Sequence, residues 1–125
     1  MDDYNIQTHI RIAAWLNILT NIGTALFAAV FLFGGALLGL ASGDATAFFG
    51  LSGMGALLAV PLGFYGILGV LSGIGMLQGA SWARTLGIVI SILHLINVSS
   101  FGWTQILGIY TLIVLLNPAA QRYFR

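Results

Sequence analysis

The sequence predicts an all-α integral membrane protein, a bundle of four transmembrane helices in one transmembrane domain that covers residues 1–125. Two observations lead to this prediction. Of the 125 residues, 59% are hydrophobic and only 6% are charged, whereas a soluble domain usually carries about a quarter charged residues. The apolar residues also form continuous runs, unlike the alternating ten-residue pattern of an outer-membrane barrel.

Four apolar segments are the predicted spans. They cover about residues 12–38, 56–77, 82–98 and 101–116, and they leave short cytoplasmic termini at 1–11 and 117–125. A helix needs about 20 residues to cross the hydrocarbon layer. The first segment is longer than this, and the last two are shorter. A tight hairpin in a thinned bilayer and a re-entrant pair both remain open for these two, and we favour full spans.

Glycine and proline predict how the first two spans are joined. Residues 41–55, "ASGDATAFFGLSGMG", are expected to form an outer loop. For Gly34 and Gly35, loosening of the end of the first span is an alternative to close packing. Pro61 is expected either to begin or to kink the second helix, because proline has no backbone N–H to donate.

The arginines predict the orientation. Arg11 precedes the first span, Arg84 lies between the second and third, and Arg122 and Arg125 follow the fourth. All of them fall on one side of the membrane if both termini share that side, which the positive-inside rule assigns to the cytoplasm. We therefore expect a multi-pass protein with both termini cytoplasmic. Binding of anionic lipid headgroups is an alternative role for the same arginines.

Glycines at regular intervals predict close helix contacts. The spaced glycines are Gly35, Gly39 and Gly43 in one run and Gly63, Gly66, Gly69 and Gly73 in another. Lipid gives helices no hydrophobic drive to associate, so close backbone approach at small residues holds them together. We expect these faces to pack within one chain. Contact between copies of the chain is the alternative.

Six polar side chains are predicted to lie near the middle of the bilayer. They are Asn17, Asn21, Thr24, Ser91, His94 and Tyr110. At about 1.5 Å per residue, Asn21 and His94 both lie about 15 Å from the arginine that precedes them, and Tyr110 lies near the same level. Polar groups that face hydrocarbon without a partner cost several kcal/mol each. We therefore expect this layer to face the interior of the bundle.

Two interpretations of His94 remain open. In the structural one, the neutral ring donates one hydrogen bond, accepts another and keeps the helices in register, because histidine is the least costly ionisable side chain to bury. In the functional one, the layer lines a path or pocket for a proton, an ion or a polar ligand. Asn97 is expected to be a partner of this layer or the cap of the third helix.

The sequence lacks the residues that several kinds of chemistry require. Cysteine is absent, which excludes disulfides and thiolate-bound zinc. The predicted spans contain no carboxylate, although small four-helix proton-coupled exporters need a membrane-embedded acid. The two histidines, His9 and His94, are expected at different depths, so we predict no metal site. The glycine-rich stretches do not form a phosphate loop, and there is no basic stripe. We therefore expect no cofactor, no catalytic residue and no nucleic acid partner.

The segments "SWARTLGIVISILHLIN" and "LGIYTLIVLLNPAAQRYF", with "HIRIAAWLNIL" near the start, resemble a family of small bacterial integral membrane proteins. Proteins of that family have four predicted spans and no assigned activity. The resemblance covers mostly residues 71–124, and its motifs are Trp-Ala-Arg before the third span and Gly-Ile-Tyr within the fourth. The connector "VSSFGWTQ" departs from the Pro-Gly type turn that is frequent there. The resemblance implies a bacterial inner membrane and supplies no catalytic residue.

Three functions of different classes fit these features. The first is a structural or accessory membrane protein, not an enzyme, that acts through helix–helix contacts with itself or with a partner subunit. The second is a small homo-oligomeric channel or transporter that uses the layer around His94. The third is a membrane enzyme acting on lipid or quinone. We favour the first, with membrane lipids and either a second copy or another membrane protein as partners.

Overall fold

The computed structural model describes residues 3–97 and 102–125. Within these residues the chain forms five α-helices and no β-strand, which confirms the all-α class. The helices are α1 (Asp3–Ser42), α2 (Ala45–Leu77), α3 (Ser81–Ile96), α4 (Trp103–Leu116) and α5 (Pro118–Tyr123). The predicted end of the third span at Val98 and the beginning of the fourth at Phe101 lie outside the described residues.

α1 and α2 are each long and apolar enough to cross a membrane. They contain 40 and 33 residues, which correspond to about 60 Å and about 50 Å along the helix axis. Only 11% and 22% of the residues in their apolar windows are buried, whereas a core helix of a soluble protein would be mostly buried. α3 and α4 are apolar but contain only 16 and 14 residues. The length and composition of α1 and α2 indicate association with a membrane.

The prediction of a loop at residues 41–55 is wrong. α1 continues without interruption through Gly34 and Gly35 to Ser42, and α2 begins at Ala45. Pro61 therefore lies inside α2 and does not begin it. The small and polar residues of this segment resemble a loop in sequence, but most of them lie in helices, where small residues allow close packing.

The turn between α1 and α2 consists of Gly43 and Asp44. Gly43 has a φ of 68°, a left-handed conformation that glycine adopts without steric cost. The Thr46 N–H donates to Asp44 Oδ1 at 3.2 Å, which satisfies one of the amides left free at the beginning of α2. Two residues are thus enough to reverse the chain.

The chain divides into two compact units. One comprises residues 1–20 and 68–125 and is called here the bundle unit. The other comprises residues 21–67 and is called the hairpin unit. α1 and α2 contribute residues to both.

The bundle unit is organised around a core of buried apolar side chains. The core residues are Ile6, Ile10, Ala13, Ala14, Met76, Ala83, Val114, Leu115, Ala120 and Phe124. Small residues bring the helices together around them. A Cβ placed on Gly73 would lie 2.8 Å from the carbonyl oxygen of Ala14, and one placed on Gly87 would lie 2.7 Å from Leu115 Cδ1. These two glycines therefore pack within the chain.

In the hairpin unit, α1 and α2 run antiparallel with their backbones close together. A Cβ placed on Gly35 would lie 2.5 Å from the Leu51 carbonyl oxygen, and one placed on Gly39 would lie 2.9 Å from Phe48 Cα. Glycine lacks the side chain that would prevent such an approach. The prediction that Gly35 and Gly39 pack within one chain is confirmed.

The C-terminal segment pairs with the turn between α2 and α3. The Arg125 N–H donates to the Gly79 carbonyl at 2.8 Å, and the Ser81 N–H donates to the Arg125 carbonyl at 3.2 Å. The Tyr123 hydroxyl donates to the Leu77 carbonyl at 3.2 Å. We call this set of bonds the C-terminal clasp. It holds α5 against the turn between α2 and α3.

Candidate functional site

Polar side chains from four helices are buried in the bundle unit. They are Asn17 on α1, Ser72 on α2, Ser91 and His94 on α3, and Thr104 and Thr111 on α4. Of the six residues predicted to share a layer, Asn17, Ser91, His94 and Tyr110 belong to this unit, and Asn21 and Thr24 belong to the hairpin unit. The bundle unit therefore has a polar interior as well as an apolar core.

The amide of Asn17 links α1 to α4. Its Nδ2 donates to Thr111 Oγ1 at 3.0 Å and to the carbonyl of Ala13 at 2.8 Å. Both N–H bonds of the amide group are thus used inside the unit. Because Asn17 and Thr111 are far apart in sequence, their bond constrains how the two helices align.

Ser91 and His94 lie where α3 packs closely on α4. The Ser91 hydroxyl donates to the Gly87 carbonyl one turn earlier, at 2.7 Å, a local bond common for serine in helices. A Cβ placed on Gly108 would lie 2.7 Å from the Ser91 carbonyl oxygen and 3.1 Å from His94 Cβ. Both Ser91 and His94 are 0% exposed. His94 is therefore part of a tight helix contact.

Tyr110 is hydrogen-bonded to His9. Its hydroxyl lies 2.8 Å from His9 Nδ1, and the two rings meet edge to face with centroids 6.0 Å apart. Counting residues along the chain groups Tyr110 with His94 and Asn21 and assigns His9 to a terminal segment. The count locates the Cα of Tyr110 but not the hydroxyl, which lies at the end of a long side chain and is bonded to α1.

Asn21 and Thr24 lie on α1 in the hairpin unit. Asn21 is fully buried, and Thr24 is half-buried. The backbone carbonyl oxygen of Asn21 would lie 3.0 Å from a Cβ placed on Gly66. This close approach to α2 explains why the segment around Asn21 is enclosed.

Asn97 is the C-cap of α3, one of its two predicted roles. Its backbone N–H donates to the Leu93 carbonyl. Its own carbonyl accepts from Thr104 Oγ1 at 3.1 Å and from Gln105 Nε2. Asn97 therefore connects the end of α3 to the first turn of α4.

Three of the four arginines lie at the end of the bundle unit where α2 and α4 end and α3 begins. Arg84 Nε donates to the Leu115 carbonyl at 3.0 Å, which satisfies one of the last carbonyls of α4 and places a positive charge at the favourable end of that helix. Arg122 lies in α5, and Arg125 is in the C-terminal clasp. Arg11 is exposed on α1.

Sequence reasoning missed Thr111, although a signal for it exists. Thr104, Gly108 and Thr111 recur at spacings of four and three residues, which places them on one helix face. All three are buried. The depth count placed only Tyr110 of α4 in the polar layer, so this face of small residues was not considered together with Asn17.

Among the described residues, no group of three or more histidine, cysteine, aspartate or glutamate side chains is placed to hold a metal ion. Comparisons of the chain with protein-family models, with curated proteins and with solved structures find no match. The resemblance to a family of four-span bacterial proteins therefore stays a prediction.

Proposed function

We propose that this chain is a small structural or accessory protein of a bacterial inner membrane that acts through helix–helix contacts, either with a second copy or with a partner subunit. α1 and α2 supply its two longest apolar surfaces. Exposing such surface to water is unfavourable by about 25 cal/mol per Å², whereas lipid is as apolar as the side chains. The arginines support a topology with both termini in the cytoplasm.

An open face of α2 carries the proposal. Gly50 and Gly53 are exposed, and a Cβ placed on either one meets no atom within 4 Å. Leu57 and Phe64, both exposed, follow at helical spacings on the same side. We call these four residues the open α2 face. A partner helix can approach its glycines closely while its large side chains supply apolar contact.

The buried polar residues support a structural role within this proposal. Asn17 and Thr111 link α1 to α4, and His94 is fully buried beside Gly108. Burial and close packing of His94 favour a role in helix alignment over the alternative of a channel or transporter, in which this side chain would line a path. We therefore assign no catalytic step to it.

Substitution on the open α2 face tests the proposal. Gly50→Leu and Gly53→Leu place a bulky side chain where a partner helix would approach, and we expect assembly to weaken about tenfold, the size of one or two interhelical contacts. Gly23→Leu on α1 is the matched control, because a Cβ there also meets no atom within 4 Å. Assembly is measured by crosslinking in native membranes and by co-purification in mild detergent.

The control and the wild type should assemble equally. A chain that stays single in native membranes at all expression levels, and that brings no partner through purification, would contradict the proposal. Equal loss in Gly23→Leu and the α2 variants would show that the open α2 face is not the contact.

A further inference from the structure

We propose that a pocket between α1 and α5 binds the phosphate group of an anionic phospholipid. The pocket is lined by Ile6, Gln7, Ala119, Arg122 and Tyr123 and has a volume of about 100 Å³. This is room for several water molecules, which suits a phosphate group. The acyl chains would remain outside, in the bilayer.

The side chains of the pocket suit a phosphate. The guanidinium of Arg122 carries five N–H donors in a planar fork, a geometry that matches phosphate oxygens. The amide of Gln7 offers further N–H donors. Both residues are exposed at the surface of the unit, so a headgroup reaches them without opening the fold.

The walls of the pocket are held in place by the core. Ile6 is 1% exposed, and the Tyr123 hydroxyl is tied to the Leu77 carbonyl at 3.2 Å. The Ala119 N–H donates to Asn117 Oδ1 at 2.9 Å. A pocket with such walls needs little reordering when it binds.

The setting of the pocket is positive and lies at a level suited to headgroups. Arg84 and Arg125 belong to the same end of the bundle unit, and each basic residue near a membrane surface contributes about 1 kcal/mol of attraction to anionic lipid. Trp82, exposed in the first turn of α3, is a side chain that favours the headgroup layer. Basic pockets between helices on the cytoplasmic side are known to receive anionic headgroups.

This inference rests on the proposed membrane location, but not on self-association. A lipid would join the first turns of α1 to α5 and so hold both ends of the chain at the cytoplasmic surface. Free phosphate has the same chemistry as the headgroup, so the experiment must separate the two sources.

The test uses the full chain in detergent, titrated with short-chain phosphatidylglycerol or with phosphatidylcholine, and retained lipid is counted by native mass spectrometry. We expect one phosphatidylglycerol to bind in preference to phosphatidylcholine. Arg122→Gln removes the paired hydrogen bonds as well as one positive charge, so it should weaken that binding more than about tenfold. Arg125→Gln removes the same charge outside the pocket and keeps the backbone bonds of the clasp, so it should lose only the charge attraction, about fivefold at most.

Gln7→Glu is a second pocket variant, since it adds a negative charge while leaving Arg122 in place. It should also weaken the binding of phosphatidylglycerol, and thermal melting followed by circular dichroism confirms that each variant is folded. Equal affinity for the two lipids, or equal losses in Arg122→Gln and Arg125→Gln, would overturn the proposal by showing diffuse attraction only.

Inorganic phosphate distinguishes the two sources. If millimolar phosphate displaces the lipid, the pocket takes phosphate from either source. If the lipid is retained, the pocket is specific for the membrane headgroup. Assembly measured on the same variants is a separate readout: lipid binding that fails while assembly persists rejects the pocket and leaves the proposed function standing.

Discussion

The hydroxyl of Thr111 accepts a hydrogen bond from the Asn17 amide across the contact between α1 and α4. Interhelical hydrogen bonds of this kind contribute on average about 0.6 kcal/mol in membrane proteins, with values up to about 1.7 kcal/mol. Such a bond affects helix alignment more than its energy suggests. If one helix slid along the other, the Asn17 amide and the Thr111 hydroxyl would separate and both would lose this partner.

Thr111→Val keeps the shape of the side chain and removes the acceptor. We expect the free energy of unfolding to fall by about 1 kcal/mol, because Asn17 keeps its bond to the Ala13 carbonyl but loses the bond across the helices. Unfolding in mixed micelles at increasing dodecyl sulfate provides the measurement.

Thr85→Val is the matched control for this change, since Thr85 is exposed on α3. It should leave the free energy of unfolding unchanged. If Thr111→Val unfolds at the same dodecyl sulfate fraction as the wild type, the Asn17–Thr111 bond does not contribute to stability.

At the scale of elements, the α1–α2 hairpin depends on which side of a helix each glycine occupies. Gly34 and Gly35 are neighbours in sequence, but their surroundings differ. A Cβ placed on Gly34 meets no atom within 4 Å, whereas one placed on Gly35 would lie 2.5 Å from the Leu51 carbonyl oxygen. A backbone atom cannot rotate away as the end of a side chain can, so the helices would have to separate.

Alanine at these two positions should therefore have opposite effects. Gly34→Ala gains helix propensity of up to about 1 kcal/mol and should leave stability equal or higher. Gly35→Ala should lower it, because overpacking costs about 1–3 kcal/mol and exceeds the gain in propensity. The free energy of unfolding in mixed micelles is measured for both variants. Equal values for Gly35→Ala and Gly34→Ala would show that the hairpin is not closely packed there.

The formation of α5 depends on a local sequence signal and on tertiary packing. Asn117 and Pro118 form a typical beginning of a helix: the asparagine side chain accepts from the Ala119 N–H, and proline at the first position loses no bond. A helix of six residues is too short to persist alone. Buried Ala120 and Phe124 attach it to the core, so packing makes this helix stable.

At the scale of the whole molecule, the distribution of charges is the basis of the proposed orientation. Each arginine belongs to the bundle unit, and Asp44 belongs to the turn of the hairpin unit. Positive residues are retained on the cytoplasmic side during insertion. The proposed topology places the α1–α2 turn outside and both termini inside.

The absence of cysteine makes this topology directly testable. Asp44→Cys and Gln121→Cys each introduce one thiol at an exposed position. A maleimide that does not cross membranes should label Asp44→Cys in intact cells and Gln121→Cys only after permeabilisation. Labelling of both thiols in intact cells, or of neither, would contradict the orientation.

Composition and local patterns were sufficient to predict helices, their apolar character and the capping role open to Asn97. These properties depend on residues near one another in sequence and on the solvent that an apolar chain requires. The true extent of α1 and α2 was not predicted, because residues 41–55 combine glycine, serine and aspartate in a way that suits a loop and a close helix pair equally.

Tertiary contacts decided the rest. Whether Gly35 is covered while Gly34 is open, and whether Tyr110 is bonded to His9 or lies beside His94, depends on which helix faces meet. Those faces are chosen by the summed packing of residues distant in sequence, and periodicity within one helix does not contain that information. The chemistry of this chain follows from its residues, but their partners follow from how the helices pack.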